Sequence, residues 1–154
     1  MPNHIPTPAP TPAYDADIII LSLDRLADTL AAIASALAQT GLSRHVIIVD
    51  QGSRPDNLRQ IQASCAAHPD ITMVALDKNL GVAGGRNHAT SLGQGRVIIG
   101  LDNDALFDTQ TSAATAVAAL DADPTLAAIG LRIVTDADGS DDLSSWGYPQ
   151  GNRT

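Results

Sequence analysis

The feature that most constrains this chain is its repeated alternation between short, β-branched apolar runs and longer segments with helical spacing. Five apolar runs predict strands, at residues 17–23, 45–49, 71–76, 96–101 and 126–134. The intervening segments predict four helices. The first covers residues 24–39, and the second begins after a cap at Ser53. The third runs from the glycine-rich link at 81–85 to about Leu92, and the fourth runs from a cap at Thr109 through Leu120. Because strand–helix–strand units form right-handed crossovers, the pattern predicts an α/β fold with an open, mostly parallel sheet and helices on both faces.

Composition narrows the classes of partner. All seventeen acidic residues are Asp and the formal net charge is −8, which argues against nucleic acid as a partner because phosphate-backbone binding needs a basic surface. No apolar run approaches the roughly 20 residues that cross a bilayer, and no signal peptide is visible. The single Cys65 has no partner for an internal disulfide. We therefore expect a cytoplasmic protein, either free or peripheral to the inner face of the membrane.

The two ends of the chain differ from its centre. Residues 1–14 hold five of the nine prolines, so residues 1–15 are predicted to form a flexible, extended leader. Residues 136–154 are rich in Asp, Gly and Ser and show no periodicity, which predicts an irregular tail. We therefore expect the folded, ligand-binding domain at residues 16–135.

Polar and glycine-rich segments follow four of the predicted strands, at residues 22–25, 50–54, 77–86 and 102–104. In an open parallel sheet, ligands bind at the carboxyl ends of the strands. These four segments are therefore expected to converge on one edge of the sheet. An acidic protein that binds a phosphorylated ligand at this edge needs local positive charge from a metal ion, an arginine or a helix N-terminus.

Asp102 and Asp104 are the first candidate group at this edge. They are two residues apart, so both carboxylates reach a common point if the chain leaves extended geometry there. Mg²⁺ and Mn²⁺ prefer oxygen ligands and keep positions open for phosphate and water. The alternative is an ordinary turn, where Asp and Asn are common.

The glycine-rich stretch at residues 79–87 is the second candidate group. Gly81, Gly84 and Gly85 allow the backbone to approach a ligand, and the following helix N-terminus attracts an anion. Arg86 adds a planar donor fork suited to phosphate. The spacing fits neither the dinucleotide-binding fingerprint nor a P-loop, and a tight strand-to-helix turn is the alternative.

Asp50, at the end of the second predicted strand, is the third candidate. A carboxylate at this position accepts a hydrogen bond from a pyrimidine ring N–H or from a ribose hydroxyl. It serves equally well to fix its own turn, so both interpretations stay open.

In combination and in this order, the three motifs resemble those of family 2 glycosyltransferases, which have the GT-A fold. IIVDQGS is similar to that family's VVD(D/N)GS segment, and NLGVAGGRNHA to its N-x-G-x-(A/S)-x-(A/G)-x-N stretch. LDNDAL lies where the family has its Asp-x-Asp motif, and DADPTLAAIGLRIV resembles its continuation. The similarity covers roughly residues 16 to 135 and is greatest to the rhamnosyltransferase-like branch.

The resemblance implies roles for particular residues. Nucleotide-sugar binding is implied for Ser22, Asp24, Arg25, Asp50, Gly81, Gly84, Arg86 and Asp102, and metal binding for Asp104 together with Asp102. Asp50 would contact the base and Arg86 would lie beside the diphosphate. Asp104 would hold a Mn²⁺ or Mg²⁺ ion that bridges the diphosphate. Family 2 enzymes are inverting, with a carboxylate base that activates an acceptor hydroxyl.

This chain also departs from the usual sequence pattern of the family. Gln51 replaces the usual Asp or Asn, and the first loop reads SLDR where TYNR is commoner. Family members normally continue for about a hundred more residues, so we expect a truncated GT-A sheet whose catalytic base lies beyond Thr154 and is not identified here. The expected donor is a UDP-, dTDP- or GDP-linked sugar, and the expected acceptor a glycan or lipid-linked hydroxyl.

Two other function classes stay open. A non-catalytic nucleotide-sugar-binding module, either a remnant or a regulator, would keep the fold without turnover. A nucleotidyltransferase shares the sheet architecture but usually carries a glycine-rich loop after its first strand, and residues 21–26 contain no glycine. An apolar face left open by a truncated sheet would favour a homodimer.

Overall fold

In the computed structural model of this chain, which describes residues 11–135 and 137–142, four strands and four helices alternate along the sequence. The elements are β1 (Tyr14–Ser22), α1 (Leu26–Leu37), β2 (Arg44–Asp50), α2 (Pro55–Cys65), β3 (Ile71–Ala75), α3 (Gly81–Ser91), β4 (Gly95–Leu101) and α4 (Ser112–Ala122). The chain divides into two compact units between Ala118 and Ala119. None of the helices in the described ranges has the length and hydropathy needed to span a membrane.

The four strands form one sheet in the order β3-β2-β1-β4, and every neighbouring pair is parallel. The register aligns Ser22 with Asp50 across β1 and β2, and Ile20 with Leu101 across β1 and β4. Along the chain, β2 and then β3 are added on one side of β1, and β4 is added on the other side of β1. The strand order therefore reverses between β1 and β4, and that is where ligands bind in open α/β sheets.

The reversal also distributes the helices. Right-handed crossovers place α1 and α2 on one face of the sheet and α3 on the opposite face. Side chains such as Ile18 and Ile48 point to the first face, where they lie in one apolar cluster with residues of α1, α2 and α4. Ile19 and Ile47 point to the other face and pack with Ala89 of α3. Covering both faces explains why β1 and β2 are continuous apolar runs rather than alternating ones.

A buried polar network fixes the amino-terminal ends of the strands. The Asp17 carboxylate accepts hydrogen bonds from the backbone N–H groups of Gln94 and Gly95, at 3.1 and 2.8 Å. Nδ1 of His45 lies 2.9 Å from the same carboxylate, and Nε2 lies 2.8 Å from Oγ1 of Thr72. Asp17 and His45 are almost completely buried. Side chains or backbone groups of all four strands are thereby tied together at the edge opposite to the predicted site.

The first four predicted strands are confirmed, but the fifth, at residues 126–134, is wrong. Among the described residues, this segment contributes only an isolated antiparallel bridge between Val134 and Asp141. Leu126, Leu131 and Ile133 are exposed. An apolar run becomes a strand only when a neighbouring strand pairs with its backbone, and Asp141 supplies a single bridge.

Several element boundaries also differ from the predictions. β1 begins at Tyr14 rather than residue 17, and α1 begins at Leu26 rather than residue 24, because Asp24 and Arg25 have left-handed φ angles of 54° and 40°. The glycines predicted to link β3 to a helix are themselves the first residues of α3. Of the predicted leader and tail, residues 1–10, 136 and 143–154 lie outside the described residues.

Candidate functional site

A cavity of about 470 Å³ lies at the carboxyl edge of the sheet, at the reversal point between β1 and β4. It is lined by Leu21, Ser22, Leu23, Arg25, Gln51, Asn79, Gly81, Val82, Asp102, Asn103 and Asp104. These residues come from the ends of β1, β2 and β4 and from the start of α3. The predicted convergence of the strand-end segments is thus present in the structure.

Asp102 and Asp104 lie in a turn directly after β4. The backbone carbonyl of Asp102 accepts a hydrogen bond from Ala105 at 3.0 Å, so the chain leaves extended geometry at this point and both carboxylates line the same cavity. Each carboxylate pairs with one arginine. Nη2 of Arg86 donates to Oδ1 of Asp102 at 2.6 Å, and Arg25 donates to Oδ2 of Asp104.

The two carboxylates suit a hard divalent cation in an open site. Their oxygens are the donors that such ions prefer, and the side chains of Asp102 and Asp104 are 73% and 49% exposed. The described residues contain no cluster of three or more His, Cys, Asp or Glu side chains able to hold a metal. Phosphate oxygens and water would have to complete the coordination sphere of such a cation. Mg²⁺ in protein sites usually has several ligands of this kind.

Arg86 approaches the pair from α3, on the opposite face of the sheet from α1. Its guanidinium reaches Asp102, and its Nη1 lies 3.5 Å from the backbone carbonyl of Ile19 in β1. The side chain is only 28% exposed. A permanent positive charge is therefore held beside Asp102, one of the residues that line the cavity.

The loop between β1 and α1 presents Arg25 to the cavity and anchors itself through Asp24. The Asp24 carboxylate accepts hydrogen bonds from the backbone N–H of Arg54 and from Nδ2 of Asn57, both at 3.0 Å. The hydrogen bond from the Arg54 backbone is the main reason that the pKa of Asp24 is lowered. Asp24 thus points to the start of α2 and does not line the cavity, whereas Arg25 does.

Asp50 is completely buried, and its carboxylate is used within its own turn. It accepts hydrogen bonds from the backbone N–H groups of Gly52 and Ser53, at 3.1 and 2.9 Å, and from Oγ of Ser53 at 2.5 Å. Asp50 is not among the cavity-lining residues. The turn-fixing alternative for Asp50 is what this geometry favours, and its contact with a nucleotide base stays a prediction.

Gln51 lies where Asp50 was expected, at the floor of the cavity. Its backbone N–H donates to the carbonyl of Ser22 at 2.8 Å, and its Oε1 accepts from the N–H of Leu80 at 3.1 Å. An added Cβ at Gly85 would lie 2.9 Å from Gln51 Oε1, so the glycine is needed for this close approach of α3. Sequence analysis treated Gln51 only as a departure from a pattern and missed this position.

Ser22 is the other floor residue. Its side chain is completely buried, and its Oγ is the one buried side-chain polar atom in residues 11–135 and 137–142 that has no hydrogen-bond partner. Buried hydroxyls are usually paired, so this one is an exception, and it belongs to a residue that lines the cavity.

The remaining predicted residues belong to the start of α3. Gly81 lines the cavity with a left-handed φ of 70°, and its N–H donates to Oδ1 of Asn79 at 2.7 Å. Gly84 does not line it; an added Cβ there would lie 2.8 Å from Cβ of Leu80, so Gly84 serves the helix turn. Arg86 does not line the cavity, but it is hydrogen-bonded to Asp102, which does. Five of the nine predicted residues line the cavity: Ser22, Arg25, Gly81, Asp102 and Asp104.

Solved structures define the class of this fold. A mannosyltransferase from Pyrobaculum calidifontis, PcManGT, determined in complex with GDP-Man and Mn²⁺, superposes with a TM-score of 0.72 over 84% of this chain and 39% of that one, at 24% identity. TarS (residues 1–349) from S. aureus gives a TM-score of 0.60 over 70% of this chain and 32% of that one, at 21% identity. The architecture is therefore that of GT-A glycosyltransferases.

Sequence comparison specifies the family within that class. The model of glycosyl transferase family 2 matches residues 17–152, and the chain belongs to this family. The succinoglycan biosynthesis proteins ExoU and ExoO of Rhizobium meliloti (strain 1021) are 35% and 42% identical over 99 and 81 residues. Those alignments cover 63% and 51% of this chain but 29% and 22% of the relatives. The chain thus spans less than a third of the relatives' length.

Proposed function

We propose that this chain is the donor-binding part of an inverting glycosyltransferase that binds a nucleotide-diphosphate sugar together with Mn²⁺ or Mg²⁺. The observation that carries the proposal is the pairing of Asp102 and Asp104 with two arginines around one cavity, at the point where the strand order reverses. In a member of glycosyl transferase family 2, this arrangement supplies carboxylate oxygens as ligands for a cation and guanidinium groups as hydrogen-bond donors to a diphosphate.

The two ion pairs explain how this acidic chain accommodates an anionic donor. Arg86 and Arg25 pair with the two carboxylates, and on donor binding both guanidinium groups would exchange a carboxylate oxygen for a phosphate oxygen. The carboxylate oxygens of Asp102 and Asp104 released in this way would then hold the cation. A bound divalent cation supplies neutralisation of the charge that develops on the departing nucleoside diphosphate.

The floor of the cavity is proposed to receive the nucleoside. Ser22 offers an unpaired buried hydroxyl, and Gln51, directly after the neighbouring strand β2, offers a side-chain amide. These groups accept and donate hydrogen bonds to a base or ribose, whereas Asp50 holds the turn beneath them. The bases in UDP, dTDP and GDP all carry the required donors and acceptors.

Neither cavity carboxylate is proposed as the catalytic base, because Asp102 and Asp104 are assigned to the cation. The acceptor, proposed to be a glycan or lipid-linked hydroxyl, and the base that activates it are expected outside the described residues. A non-catalytic binding module differs from this proposal only in lacking transfer, so transfer is measured separately from binding.

Calorimetric titration of the chain with UDP, dTDP and GDP tests the proposal. We expect at least one nucleotide to bind in the presence of Mn²⁺ and to bind about tenfold more weakly, or 1.4 kcal/mol, in its absence. Asp104→Ala should remove the Mn²⁺-dependent gain. Asp56→Ala is the matched control, because Asp56 is also an exposed Asp paired with an arginine but lies in α2.

Absence of binding by the wild-type chain to all three nucleotides would refute the proposal, and so would an Asp104→Ala variant that keeps its Mn²⁺-dependent gain. Nucleotide binding without hydrolysis of, or transfer from, any donor sugar by the protein as it occurs naturally would favour the non-catalytic module.

A further inference from the structure

Gly100 in β4 lies directly beneath the guanidinium of Arg86. A Cβ added to Gly100 would lie 2.5 Å from Nη1, 3.0 Å from Cζ and 3.6 Å from Nη2 of Arg86. Side-chain carbons do not approach other heavy atoms closer than about 3.0 Å, so any residue with a Cβ at position 100 excludes the guanidinium from where it lies.

The neighbouring positions show why the guanidinium passes at this point. Gly100 pairs with Ile19 across β1 and β4, and Nη1 of Arg86 lies 3.5 Å from the Ile19 carbonyl. Ile98, two residues earlier in β4 and therefore on the same face, has a large side chain that is 52% exposed. Gly100 is thus a gap in the side chains of this face, through which Arg86 crosses the two strands to reach Asp102.

The backbone does not itself require glycine at position 100. The glycines with positive φ among the described residues are Gly41, Gly52, Gly81 and Gly139, and Gly100 is not one of them. A glycine inside a strand weakens the strand and often marks a place where another group approaches closely. Here the approaching group is the Arg86 guanidinium.

We propose that Gly100 is a positioning residue for donor binding: its missing side chain is what allows Arg86 to reach Asp102 and the diphosphate. This inference rests on the proposed function of the site. Gly100 acts on the ligand only through Arg86, since it is Arg86 that carries the charge and the donors.

The proposal predicts that Gly100→Ala weakens binding without lowering stability. Alanine has less backbone freedom than glycine in the unfolded chain, and the clashing group is the end of a flexible side chain that moves aside. The melting temperature should therefore stay the same or rise. Nucleotide affinity in Mn²⁺ should fall by about tenfold to a hundredfold, the effect of losing hydrogen bonds from a charged donor.

A double-mutant cycle tests the mechanism with the full 154-residue chain. The variants are Gly100→Ala, Arg86→Ala and the double variant, titrated with whichever of UDP, dTDP and GDP binds the wild type in Mn²⁺. Gly100→Ala should weaken binding in the wild-type background and have no further effect when Arg86 is already Ala. Gly130→Ala is the control, because a Cβ at Gly130 meets no atom within 4 Å.

The outcomes separate this inference from the proposed function. If the wild type binds and Arg86→Ala weakens binding but Gly100→Ala does not, the role of Gly100 is refuted and the proposed function stands. Equal losses from Gly100→Ala in both backgrounds would also refute it, because the effect would then not pass through Arg86. A wild type that binds none of the three nucleotides refutes the proposed function, and this inference with it.

Discussion

Replacing Asp50 with Ala distinguishes the two roles considered for this residue. If the carboxylate fixes its turn, the substitution leaves three donors without their acceptor: the N–H groups of Gly52 and Ser53 and the hydroxyl of Ser53. The hydroxyl also accepts a hydrogen bond from the N–H of Asp24 at 2.7 Å, so the change extends to the loop that presents Arg25. The effect should therefore appear in the stability of the fold.

The magnitude follows from the burial of each donor. Gly52 is exposed, so water replaces the lost acceptor for its N–H at little cost. The Ser53 N–H is buried, and leaving a buried donor unsatisfied costs about 1–3 kcal/mol. Loss of the short bond between the Ser53 hydroxyl and a carboxylate adds roughly 1.5 kcal/mol. We expect Asp50→Ala to lower the free energy of unfolding by about 3 kcal/mol.

Urea-induced unfolding followed by circular dichroism measures this change. Asp77→Ala is the control, because Asp77 is an exposed Asp just after β3, and surface substitutions usually change stability by less than about 0.5 kcal/mol. Asp50→Asn keeps one acceptor oxygen and should fall between the two. A loss below about 1 kcal/mol for Asp50→Ala, accompanied by loss of nucleotide binding, would refute the turn-fixing role and restore the predicted contact with the base.

Two further predictions concern the rest of the first unit. His45→Ala should lower the free energy of unfolding by about 2 kcal/mol or more, measured by thermal unfolding, because it removes one of the hydrogen bonds to the buried Asp17 carboxylate and the bond between Nε2 and the Thr72 hydroxyl; a loss similar to that of a surface substitution would contradict this. The lowered pKa of Asp24 means that its contribution to stability is complete above its ordinary pKa of 3.8 and is lost as the pH falls through the lower folded value. Asp24→Asn should therefore flatten the pH dependence of stability in this acidic range, and an unchanged profile would contradict the assignment.

The sheet was predictable because its two central strands, β1 and β2, are buried on both faces. The runs around Ile18–Ile20 and Val46–Val49 have a composition that few other structures accommodate, and their order along the chain determines where the carboxyl edge lies. Residues 126–134 have a similar composition and no strand. Composition alone does not show whether a pairing partner is present.

Individual side-chain roles were less predictable than the edge itself. Asp102, Asp104 and Arg25 line the cavity as expected, since their positions follow from the ends of β1 and β4. The carboxylates of Asp50 and Asp24 instead accept hydrogen bonds from nearby backbone N–H groups. Their orientation depends on the geometry of the loops, which the spacing of residues in the sequence does not reveal. A signal for Gly100 was present, as a glycine inside an otherwise β-branched strand.

The most direct measurement is the position of Mn²⁺ in a crystal grown with Mn²⁺ and the nucleoside diphosphate that binds, located by anomalous diffraction. The account predicts a peak within bonding distance of Asp104 or of both Asp102 and Asp104, with diphosphate oxygens on the same ion and Arg86 hydrogen-bonded to the phosphate. A Mn²⁺ peak elsewhere in the chain, or a diphosphate bound without contact to Arg86 and the cation, would contradict it.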